Sequence, residues 1–181
     1  MKHIDWDNVQ ESKGFEKLPA GGYVCGITAV EDYPSKEYLE IEFDIAEGEH
    51  KNEYRSLYDE KGFWAGKFRQ SYSKKGMGYF KKMLIALEKS NPGFKYNDDE
   101  KMLKRKLIGL VIGYREGVGQ DGNVREYVDV QDFVSVSDIR SGNFIAPKIK
   151  RLENSGESGT AGYSSNKSAF NEVEDDGDIP F

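Results

Sequence analysis

Polar and apolar positions alternate most cleanly in "YLEIEFDI". Leu39, Ile41, Phe43 and Ile45 fall on one side of that stretch, and Tyr38, Glu40, Glu42 and Asp44 on the other. A period of two belongs to a strand with one buried face, so the stretch predicts a member of an antiparallel sheet. Ahead of it, "LPAGGYVCGITAVED" opens on a Pro/Gly turn and predicts a strand over 23–30. A third strand is predicted over 53–58, followed by a loop, "KGFWAGKFRQSYSKKG". The period then changes. In "MGYFKKMLIALEKSN", Phe80, Met83, Leu84 and Leu87 recur at i, i+3, i+4 and i+7, a helical stripe that Asn91-Pro92-Gly93 stops. "DDEKMLKRK" places acids first and bases last, which suits a short second helix after Asp98. "LIGLVIGY" predicts a buried strand and "NVREYVDVQDFVSV" a long alternating one, with hairpin-turn chemistry in "QDGN" between them.

Three strands, a helix and two further strands are the order of an OB-fold, the five-stranded Greek-key barrel whose helix lies between strands 3 and 4. The expected class is therefore mainly β, over residues 1–152, with 1–20 and 140–152 packed outside the barrel. After Leu152 the composition shifts to Ser, Gly, Asn and Glu, too poor in apolar residues to fold alone. Residues 153–171 read as a flexible linker, and 172–181 as a disordered acidic tip.

Charge divides along the same boundaries. The chain's net charge is −6, and residues 153–181 hold seven acids against the single base Lys167, so residues 1–152 are balanced. Within that balanced body, residues 1–60 carry fifteen acids and six bases, whereas 61–115 carry fourteen bases and four acids. A sequence pI near 5.1 thus conceals a basic middle segment that suits an anionic partner. Cys25 is the only cysteine, and His3 and His50 are the only histidines, too few for a Cys/His zinc site. No apolar run has the length of a membrane span, and "MKHIDWDNVQ" lacks the apolar core of a signal peptide. The expectation is a bacterial cytoplasmic protein with no cofactor, no metal and no membrane association.

Two motifs are decoys. Gly117-Val118-Gly119-Gln120-Asp121-Gly122 matches G-x-G-x-x-G, but a dinucleotide site needs that loop to open a helix, and a strand pattern follows it. Asp98, Asp99 and Glu100 look like a metal cluster, yet carboxylates ahead of a helical run are better explained as helix-start residues. Neither histidine stands in an acid–base arrangement, so the reading is not an enzyme.

Residues 54–82 interleave rings with cations. Single-stranded nucleic acid calls for that pairing: cations follow the phosphates, and flat rings stack on unpaired bases. The helical period assigns Phe80 to the core. Trp64, Phe68 and Tyr72 lie in a stretch without a usable period, and they are taken as stacking candidates with Lys67, Arg69, Lys74, Lys75, Lys81 and Lys82 as phosphate partners.

The chain finishes in "EDDGDIPF". An acidic run would serve solubility alone, but that does not explain the apolar Ile179-Pro180-Phe181. An apolar tip on a polar tether has the form of a peptide ligand, with Asp175, Asp176 and Asp178 steering it to a basic pocket. This tip resembles the Ile-Pro-Phe-terminated tip of bacterial single-stranded-DNA-binding proteins. The body is more similar to the single-stranded-DNA-binding replication proteins of phages and prophages of Gram-positive bacteria, through "LPAGGYVCGI", "IEFDIAEGEHKNEY", "GMGYFKKML" and "FVSVSDIRSGNFIAPK". The resemblance implies sequence-independent binding of single-stranded DNA in replication and recombination. It also implies a tip that recruits a helicase, primase, nuclease or recombination factor. The competing expectation is an adaptor or decoy whose tip occupies host pockets without DNA binding. The oligomeric state stays open, a homo-oligomer included.

Overall fold

The computed structural model describes residues 17–152. Its five strands are β1 (Gly21–Tyr33), β2 (Tyr38–Ile45), β3 (Lys67–Ser71), β4 (Leu107–Val118) and β5 (Val124–Val134). They form one antiparallel sheet in the order β3-β2-β1-β4-β5. The 13-residue β1 makes this order possible. Its first half pairs with β4, from Gly21↔Ile112 to Gly26↔Leu107, and from Cys25 onward it pairs with β2, ending at Tyr33↔Tyr38. A bulge between Ile27 and Ala29 marks the handover and raises the local twist. The sheet curls until its two edges meet through side chains, with the rings of Phe68 on β3 and Phe133 on β5 at 5.6 Å. This is a mainly β, OB-like fold.

The interior follows the alternation of β2. Leu39, Ile41, Phe43 and Ile45 are buried, together with Cys25 and Ile27 from β1 and Ile108, Leu110 and Ile112 from β4. Helix α2 (Met77–Ser90) lays Met83 and Leu87, both fully buried, against this core, and Leu103 joins them from a 3-10 turn (Glu100–Leu103). The helix after Asp98 is thus a single 3-10 turn. Asp99 caps it by accepting a hydrogen bond from the Lys101 backbone N–H at 3.0 Å, the helix-start role expected of that carboxylate group.

Two elements differ from the expectation. Residues 53–58 are not a strand but lie in helix α1 (Glu53–Lys61), which buries Tyr54 and Leu57, and the third strand falls inside the expected loop, at Lys67–Ser71. The cause of α1 is remote in sequence. The Asp44 carboxylate, at the end of β2, accepts hydrogen bonds from the backbone N–H groups of Tyr54 at 3.0 Å and Arg55 at 3.1 Å. It satisfies helix-start donors that a local capping residue would otherwise serve. Asn52, in the left-handed conformation with φ 61°, turns the chain into this position. The alternation of "NVREYVDVQDFVSV" also stops early, because Ser135 breaks it to open helix α3 (Val136–Ser141) with a reciprocal capping box to Asp138.

The chain beyond α3 packs outside the barrel as expected. An added Cβ on Gly22 would stand 2.5 Å from the Phe144 ring and 2.8 Å from Ile139, so only a bare backbone admits that ring and that side chain. The linker 153–171 and the tip with Asp175, Asp176, Asp178, Ile179, Pro180 and Phe181 lie outside the described residues.

Candidate functional site

The outer face of β1, β2 and β3 carries polar and aromatic side chains in rows that the register fixes. Glu42 stands beside Ala29 and Lys67, Glu40 beside Glu31 and Arg69, and Tyr38 beside Tyr33 and Ser71. Within these rows Lys67 Nζ lies 3.7 Å from Glu40 and 3.9 Å from Glu42, and Arg69 Nε donates to Glu40 at 3.3 Å. The Arg69 guanidinium also sits 5.1 Å from the centre of the Tyr38 ring, on which Tyr33 stacks at 4.9 Å. A ring pair and a cation are therefore held together at one end of the face. Hydrogen bonding to Glu31, with burial and neighbouring carboxylates adding to it, raises the Tyr33 phenol above its ordinary value, so it stays neutral.

At the other end of the face Trp64 is half-buried. Its indole Nε1–H donates to the Gly66 carbonyl at 3.0 Å, and its ring is tilted 6.1 Å from that of Tyr58. Gly66 has no room for a side chain, since a Cβ there would meet the Phe43 carbonyl oxygen at 2.3 Å. The short "AGK" segment after Trp64 is thereby pinned to β2, which fixes where the indole stands.

Lys67 and Arg69 point outward, as do Lys74 and Lys75 in the loop before α2 and Lys81 and Lys82 on the helix surface. Lys82 pairs with Asp132 of β5. Phe68 pairs with Ile41 in register and faces the interior side, its ring 5.8 Å from Phe43, which makes it a packing residue. Tyr72 donates its hydroxyl to Asp32 at 2.8 Å and leans on Phe80. Burial first, and then that hydrogen bond, push its phenol up to about 12. Tyr79, also pushed up to about 12 by burial and by Asp132 and Asp129, donates to the Gln131 carbonyl and ties α2 to β5. The structure thus places Trp64, Lys67 and Arg69 along one open face, and Lys74, Lys75, Lys81 and Lys82 around the start of α2.

Compared with protein-family models and with curated proteins, the chain has no match. The site accordingly rests on its own geometry.

Sequence reasoning missed Tyr33, Tyr38 and Arg55. Tyr38 carried a signal, since the period of two puts it on the outward side with Glu40 and Glu42. The G-x-G-x-x-G loop is a hairpin, as expected from its sequence: the Gly119 N–H donates to the Asn123 carbonyl and Gly122 takes a positive φ of 77°. Among the described residues, no helix is long and apolar enough to cross a membrane.

Proposed function

We propose that this protein binds single-stranded DNA without sequence preference, and that its acidic tip, 172–181, recruits enzymes of DNA replication or recombination. The observation that carries the reading is the open outer face of β1–β3. There rings and cations share one surface of an OB-like sheet, the face such folds use for oligonucleotides. The strand crosses from Trp64 to the Tyr33–Tyr38 pair, and Lys74, Lys75 and Lys81 attract its phosphates from the side. Aromatic faces suit unpaired bases, whose stacking contributes about 1–3 kcal/mol each, whereas a duplex keeps those base faces hidden.

Glu40 and Glu42 shape the electrostatics. Phosphates must take Lys67 and Arg69 from these carboxylates, so part of the ionic attraction is an exchange. Affinity still falls with salt, because cations on DNA phosphates release condensed counterions.

The test is titration of a fluorescent oligo-dT at two salt concentrations, with the wild type and a Lys74→Ala/Lys75→Ala/Lys81→Ala variant. Binding that weakens with salt, and a shallower salt dependence in the variant, is the expected result. Each phosphate contact removed lowers the slope by about one. Deletion of 172–181 is expected to leave DNA affinity equal or higher while abolishing capture of partner enzymes. If the wild type fails to bind at low salt, the adaptor reading, in which the tip is the functional element, replaces this one.

A further inference from the structure

Between the outer face of β1–β2 and helix α1 lies an open cleft of about 320 Å³. It is walled by Thr28, Asp44, Asn52, Arg55 and Trp64. Its volume is at the lower end of small-ligand sites, enough for one nucleoside. Two observations mark it as more than a surface dent. The Thr28 Oγ1 is fully shielded and has no hydrogen-bond partner, an arrangement that costs about 1–3 kcal/mol if nothing compensates it. Thr28 is also the extra residue of the β1 bulge, the local irregularity that re-aims a side chain.

The chemistry of the walls narrows the occupant. Trp64 supplies a flat ring. Asp44 supplies carboxylate oxygens, each already accepting at least one backbone N–H, in a position that repels a phosphate. Thr28 and Asn52 supply groups that both donate and accept. The exposed Arg55, whose Nε lies 3.6 Å from Asp59, is the one cation on the wall. A neutral, planar group with N–H and C=O edges fits the cleft, and an anion does not.

We infer that this cleft receives one unpaired nucleobase of a bound strand, stacked on Trp64 with its edge toward Thr28, while Arg55 meets the adjoining phosphate. The inference rests on the single-stranded-DNA reading and adds a defined base pocket to it.

The test uses a Trp6→Phe chain, in which Trp64 is the sole tryptophan. Three probes are compared: oligo-dT, an abasic oligomer of equal length and charge, and thymidine monophosphate. Oligo-dT is expected to quench Trp64 emission strongly, and the abasic strand to bind through its phosphates with emission unchanged. Thr28→Val keeps the shape and removes the unpaired hydroxyl. It should hold or raise thermal stability while weakening oligo-dT binding by roughly 2–10-fold, the loss of one hydrogen bond, with abasic binding untouched. A strand that binds without altering Trp64 emission, or a Thr28→Val chain with full affinity, overturns the base pocket and leaves the DNA reading standing. Quenching by the monophosphate as strong as by the oligomer makes the ligand a free nucleotide and overturns the assignment to a strand. Absence of binding to every oligomer removes both readings together.

Discussion

Strand β1 has two different outsides. Along its first half the outward positions are Gly22 and Val24, roofed by Ile139 of α3 and by Phe144. Along its second half they are Thr28, Ala29, Glu31 and Tyr33, which face the Trp64 cleft and the Arg69 stack with no helix laid over them. Both halves feed the same core through Cys25 and Ile27. The difference teaches where this fold spends its surface. Bare glycine backbones let one half be sealed by the chain's own C-terminal extension, while the bulge and the polar rows keep the other half available. A sealed face contributes stability and an open one contributes binding.

That division can be broken experimentally. The largest effect is expected from Gly22→Val, which drives a side chain into Phe144 and should cost about 1–3 kcal/mol, read as a lower denaturant midpoint. Its DNA affinity per folded molecule should be unchanged, and a loss of affinity in the folded protein would show that the sealed half belongs to the site. Lys67→Ala/Arg69→Ala should do the reverse. It removes two phosphate partners and leaves Glu40 and Glu42 uncompensated, so affinity should fall about tenfold or more at low salt, roughly 1.4 kcal/mol, with the midpoint nearly constant.

Ser135→Ala removes the cap that orients α3 over the sealed half and should cost about 1 kcal/mol. This penalty is pH-dependent. Hydrogen bonds from Ser135, and next from Asn143, hold the Asp138 carboxyl below its usual value. A depressed carboxylate contributes stability above its unfolded value, near pH 4, and loses it as pH falls through the folded value. The gap between wild type and Ser135→Ala in urea midpoint should therefore shrink in acid, and a gap constant with pH would disprove the coupling. The smallest effect is expected from Glu40→Gln. With one competitor for Lys67 and Arg69 removed, oligo-dT affinity should rise a few-fold, roughly 0.5–1 kcal/mol at most.

Where the pattern was local, the sequence could be read. The alternation of β2, the helical stripe of α2 and the turn between β4 and β5 all stand where their periods predicted, because each is dictated by which side of one element meets the core. Helix α1 was not legible. "EYRSLYDEK" is rich in tyrosine and short, and the group that starts it is Asp44, ten residues upstream of Tyr54. Strand β3 was hidden for a different reason. One of its two inward residues is Gln70, only 5% exposed, so the apolar beat that announces a strand is missing. Its buried amide instead donates to the Ser71 carbonyl at 2.9 Å. The same gap in the pattern concealed the orientation of Phe68. The outward direction of Lys67 and Arg69 could be known only once β3 was paired with β2.

Cys25, the sole cysteine, is completely enclosed in the barrel. Burial, with Asp44 nearby, pushes its thiol well above the ordinary value, so it stays protonated and unreactive while the sheet is intact. The protein thereby carries its own clock of opening: alkylation of this thiol in native buffer counts the moments when the barrel comes apart. It also leaves the surface chemically silent toward thiol reagents. A cysteine introduced at Lys81 or at Glu31 can then carry a dye, and the passage of a strand over either end of the open face becomes visible one molecule at a time.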